Sequence, residues 1–85
     1  MTKKTMEIVN KMKKNMNMWY ESYKMYDWFT FKDLQHQLAY EESDFEKFRS
    51  SAFHYGVMSE KDYDETSLIA MNYSNELINK VIYNY

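Results

Sequence analysis

Few residues in this chain are of types that do covalent chemistry. There is no cysteine, and only two histidines, His36 and His54. The histidines fall on different segments without an acidic partner at ligand spacing, so no metal site is expected, and a thiolate site is impossible. No Gly-rich phosphate loop occurs, and none of the Ser and Asp residues sits in a nucleophile motif. The chain therefore reads as a non-enzyme without a cofactor. What remains is the chemistry of charge. In "ESDFEKFRSSAFHYGVM", Glu42–Met58, Lys47 and Arg49 could meet phosphates or base edges, whereas Glu42, Asp44 and Glu46 beside them would repel a polyanion.

Composition narrows the partner class. The chain has 85 residues, net charge −2, 45% hydrophobic and 19% aromatic residues. That length is one domain near the lower size for a self-sufficient core, so help from a partner is expected. Lys3, Lys4, Lys11, Lys13 and Lys14 crowd the start while acids crowd the middle, an uneven distribution under a weakly negative total. No apolar run is long enough for a signal-peptide core or a membrane span, and a cytoplasmic protein is the expectation. Arg49 is the only arginine, and Asn, Tyr and Lys are frequent while Pro is absent. This bias suits a low-GC genome, including a phage or plasmid.

Those charged residues need elements to hold them. Val9, Met12, Met16, Trp19, Tyr23 and Tyr26 recur in alternating steps of three and four, which predicts a helix over about Thr5–Tyr26. At 1.5 Å per residue it would be about 33 Å long. Such a stripe is either core or a dimer seam built from Val9, Met12, Met16, Trp19 and Tyr23, and mixed use in a homodimer is expected. Thr30, with Asp33 three residues on, predicts a capped short helix presenting Phe31, Leu34 and Leu38. "AYEES" then predicts a turn. A following helix would bury Phe45, Phe48 and Ala52 and end at Gly56 in the left-handed conformation. Two apolar runs, Val57–Ser59 and Leu68–Tyr73, flank the polar stretch Glu60–Thr66 and predict a β-hairpin. Ser74 would cap a last helix bearing Leu77, Ile78, Val81, Ile82 and Tyr85; the alternative is one unbroken helix from about Glu65 to the end.

This order of elements resembles winged helix-turn-helix domains. The pattern Phe45-x-x-Phe48-x-x-x-Ala52-x-x-x-Gly56-Val57-Met58 is similar to the recognition-helix signature of regulators of the multiple-antibiotic-resistance group, and "FTFKDLQHQL" to the helix before it. The resemblance covers roughly residues 28–73. It implies an α+β, mostly helical winged-helix fold in a single domain 1–85: a long N-terminal helix over 1–27, the helix-turn-helix and wing over 28–73, and a C-terminal helix over 74–85. It implies a DNA-binding transcription regulator with Ser43, Asp44, Lys47, Ser50 and Ser51 on the groove-facing side. Arg49 lies nearby as a further contact to double-stranded DNA.

The chain departs from that pattern in its acids. Glu41, Glu42, Asp44 and Glu46 crowd the presumed recognition helix, and Glu60, Asp62, Asp64 and Glu65 the wing. The second reading is a small phage-type inhibitor, as anti-restriction and anti-CRISPR proteins are, in which Glu42, Asp44, Glu46, Asp62 and Asp64 bind a host nucleic-acid-binding protein.

Overall fold

The computed structural model describes residues 1–83. It consists of three helices of nearly equal length, α1 (Lys3–Met25), α2 (Phe31–His54) and α3 (Glu60–Tyr83). Each packs on both others, in an elongated bundle of 43 × 20 × 17 Å. Five-residue connectors, Tyr26–Thr30 and Tyr55–Ser59, force neighbours to run antiparallel.

The long first helix forms as its periodicity predicts, starting two residues earlier. Thr2 caps it by accepting the Thr5 N–H at 3.1 Å. Thr30 caps α2 reciprocally: it accepts the Asp33 N–H at 3.1 Å while Asp33 accepts the Thr30 N–H at 2.9 Å. The Thr30 backbone N–H, with the Thr30 hydroxyl beside it, holds the Asp33 carboxyl below its ordinary range. At the far end of α2, Gly56 adopts φ +76°. Val57 N–H donates to the Ala52 carbonyl at 2.8 Å and Gly56 N–H to that of Phe53 at 3.1 Å. This is the Schellman pattern, which only a left-handed residue completes.

The winged-helix expectation is wrong. Among the described residues there is no strand, and residues 60–73, read as the wing, form the first half of α3. Of the two readings of the C-terminal third, the unbroken helix is the one found, beginning at Glu60 rather than Glu65. Its start is fixed by Ser59, whose hydroxyl accepts the Asp62 N–H at 3.1 Å. Glu60 and Asp62 in the first turn suit the positive end of the helix dipole. The segment then offers Leu, Ala and Met, good helix formers, with Ile69 its one β-branched residue between Leu68 and Tyr73.

The predicted helix-turn-helix is likewise one helix. "AYEES" holds neither Gly nor Pro, and its residues supply a solvated turn between Leu38 and Phe45, both buried and one heptad apart. In the second half of α2 the buried register is Phe45, Arg49 and Ala52. Phe48, expected in the core, is 58% exposed.

The core joins Val9, Met12, Met16 and Tyr20 of α1 with Leu34, Leu38 and Phe45 of α2 and Ala70 and Leu77 of α3. Thr66, Ala70 and Ser74 are the small residues that α3 buries. At one end, Trp19 stacks on Phe29 with ring centroids 5.8 Å apart and donates its indole N–H to Glu41 Oε1 at 3.2 Å. Tyr23 meets Phe31 edge-on at 6.3 Å. At the other end the Thr2 N–H reaches Asp62 Oδ2 at 3.4 Å, tying the starts of α1 and α3.

Val9, Met12 and Met16 are at most 4% exposed within the single chain, and Trp19 and Tyr23 pack against the same core. Val9, Met12 and Met16 are therefore taken up by the chain's own core, with Trp19 and Tyr23 partly buried against it. The stripe's period of 3.5 residues serves α2 and α3 of its own chain.

Candidate interaction surfaces

Charge is sorted by helix. α1 holds six lysines against two glutamates, a net of +4; α2 holds three basic residues against five acids, −2; α3 holds two lysines against five acids, −3. Among the described residues only Lys24 and Glu21, 3.4 Å apart within α1, form an ion pair. Among the described residues, then, no ion pair joins one helix to another. Three grooves between the helices display these charges differently.

The α1/α3 groove is spanned by two lysines lying over tyrosine rings, Lys13 over Tyr73 at 5.4 Å and Lys80 over Tyr20 at 5.7 Å, while Lys24, one turn on in α1, lies over the same Tyr20 ring at 5.1 Å. Their stems cover apolar surface while the ammonium groups reach water. Burial, with Glu76 nearby, raises the Tyr73 phenol.

The α2/α3 groove, of about 390 Å³, is lined by Glu42, Glu46, Ser67, Met71 and Asn75 with Arg49 at its floor. Arg49 is 5% exposed. Its Nε donates to Thr66 Oγ1 at 2.9 Å and its Nη2 to the Tyr63 carbonyl at 2.6 Å. The guanidinium lies over the Tyr63 ring at 4.3 Å. Thr66 passes the connection on by donating to the Asp62 carbonyl at 2.7 Å. Among the described residues no carboxylate comes within 4 Å of Arg49. Its charge is stabilised by backbone and hydroxyl oxygens and an aromatic face, and the side chain fastens α2 to the first turn of α3. Glu42, half-buried above it, has its carboxyl pushed up by desolvation.

The α1/α2 groove runs through two connected hollows, of about 110 and 320 Å³, that share Ile8 and Phe48. Ile8, Phe48, Tyr55 and Val57 give it an apolar centre. Lys4, Glu7 and Lys11 stand on its α1 edge, Glu41 and Asp44 on its α2 edge.

Of the residues expected to read DNA, Ser43, Lys47 and Ser50 share an exposed ridge of α2, and Ser51 is exposed beside it, lining the α1/α2 groove. Arg49 is on the opposite side of the helix, inside the protein, so the ridge carries one cation where two were expected. The acidic set divides as well. Glu42 and Glu46 come together in the α2/α3 groove. Asp64 is exposed on α3, Asp44 faces α1, and Asp62 is buried at the α3 start. The spacing carried the missed signal for Arg49, which follows Phe45 by four and precedes Ala52 by three. That places it in the core register.

His36 and His54 are both exposed, and among the described residues no three His, Asp or Glu side chains are placed to hold a metal. Nor is any described helix long and apolar enough to cross a membrane. No protein-family model, curated protein or solved structure matches the chain.

Proposed function

We propose that the chain is a small non-catalytic binding protein that offers the α2/α3 groove to a basic, nucleic-acid-binding surface of a partner protein. One observation carries this reading. Of the three grooves, this is the one whose charged lips are acids alone, Glu42 and Glu46, while its single cation is buried and already bonded. Glu60 and Asp64 continue the α3 side of the stripe that holds Ser67 and Met71, in steps of four, three and four. Rows of carboxylates flanking a partly apolar floor complement a surface built to bind phosphates, and steer association through long-range attraction.

Affinity capture from nuclease-treated lysate tests it, with the unmodified chain beside a Glu42→Lys/Glu46→Lys variant. The expected result is a basic protein retained by the first, lost from the second, and released as salt rises. Capture that survives the charge reversal would end this reading.

The +4 charge of α1 favours a second reading, in which Lys3, Lys4, Lys11 and Lys14, all exposed, contact nucleic-acid phosphates without reading sequence. A band-shift titration at low salt decides it. A shift abolished by changing these four lysines to Ala supports it, and an unshifted probe at all concentrations removes it.

A further inference from the structure

Phe48, 58% exposed, sits at the middle of the α1/α2 groove, and Tyr55 and Val57, 78% and 47% exposed, continue the apolar strip toward the Gly56 turn. An apolar strip bordered by charge on so small a domain marks a contact face. The two borders differ in sign in a specific way. Lys11 on α1 and Asp44 on α2 line the same hollow from its two sides, with Glu41 on the Asp44 side. They flank Phe48 without pairing across it.

We propose that this groove is occupied by a second copy of the chain, related by a two-fold axis running along the groove. Such an axis lays the α1 edge of each copy over the α2 edge of the other. Lys11 of each copy then meets Asp44 of its partner, twice by symmetry, while the two Phe48 rings and Tyr55 close the centre. A two-fold interface must be self-complementary. Around Phe48 this face carries both signs, Lys11 on one side of the apolar line and Asp44 with Glu41 on the other, with Glu7 farther along the α1 edge. A foreign partner would have to reproduce that pattern, whereas another copy holds it by construction. The acidic α2/α3 groove stays open in the dimer, so two copies of it would be displayed, and the assembly does not depend on what that groove binds.

Sedimentation velocity over a concentration series tests the assembly, with circular dichroism confirming that each variant keeps its helices. The unmodified chain is expected to dimerise. Phe48→Glu changes an exposed residue and should leave a folded monomer. Lys11→Glu places acids opposite Asp44, and Asp44→Lys places cations opposite Lys11, so each variant alone should dimerise about tenfold more weakly or worse. Mixing the two variants is the decisive arm. The Lys11→Glu chain keeps its Asp44 and the Asp44→Lys chain keeps its Lys11, so a heterodimer pairs opposite charges at both contacts, and dimers should return. A monomeric unmodified chain at every concentration would overturn the proposal. So would a dimer indifferent to Phe48→Glu, single charge variants that dimerise as the unmodified chain does, or a mixture that stays monomeric.

Discussion

The two seams of α2 are closed by opposite means. Against α1, α2 packs large apolar chains, Leu38 and Phe45, into the cluster that holds Met12 and Met16, and leaves Glu41 and Asp44 on the rim. Against the start of α3, the same helix sends a guanidinium inward and closes the contact with hydrogen bonds to Thr66 and Tyr63. The first seam draws on water's exclusion from apolar surface and tolerates sliding among similar side chains. The second depends on donors meeting particular oxygens, which fixes one register and one rotation of α3. Removing either seam should therefore give distinguishable failures.

The largest expected effect is in the apolar seam. Met16 is fully buried, and Met16→Ala should cost about 2–5 kcal/mol, read from urea unfolding, because the cavity cannot fill by local collapse. Next, Arg49→Ala should cost about 2–3 kcal/mol by removing the charged donor shared by the buried Thr66 hydroxyl and the Tyr63 carbonyl, together with the ring contact. Arg49→Lys should recover less than half of that, since a single ammonium cannot reproduce two directed bonds and ring contact. Full recovery by Lys would mean that charge alone, not geometry, holds the polar seam. Between the two seams lies the Gly56 turn, which lets the chain reverse from α2 into α3. No atom lies within 4 Å of a Cβ built there, so Gly56→Ala isolates the left-handed backbone strain, about 1 kcal/mol in thermal unfolding.

The smallest effect concerns the lip of the polar seam. Because desolvation raises the Glu42 pKa, the folded chain holds that proton more tightly than the unfolded chain does. Its contribution is therefore most favourable in acid and declines as pH rises through the folded pKa. Glu42→Gln should raise the melting temperature slightly at neutral pH, and the gain should vanish below about pH 4, where the unfolded carboxyl is also protonated. A gain that persisted in acid would assign the effect to packing instead.

The same contrast explains what could be read from the sequence. The apolar seam was legible: Val9, Met12 and Met16 mark α1 at helical spacing, Thr30 and Asp33 announce the start of α2, and Gly56 its end. The polar seam was not. Thr66 and Ser74 occupy core positions without being apolar, so the period of α3 is invisible to hydropathy, and the polar stretch Glu60–Thr66 imitates a hairpin tip. Ser59-x-x-Asp62 repeats the capping spacing of Thr30-x-x-Asp33 and was the available sign that a helix begins there. At the surfaces, residue type alone located the acids on α2 and α3. Which acids share a groove depends on how the helices rotate against each other, and that rotation follows from the buried Arg49, whose type suggests an exposed residue.

The five-residue connectors have a kinetic consequence. Every helix touches its neighbour through segments close in the chain, so little loop-closure entropy opposes the first contacts, and bundles of this kind fold in microseconds to milliseconds. With no proline in the sequence, no slow isomerisation delays the unfolded chain. The three helices should thus close into a finished surface faster than a diffusing partner typically finds them. The molecule would present its grooves to that partner already formed, with no ordering of its backbone left for the encounter to supply.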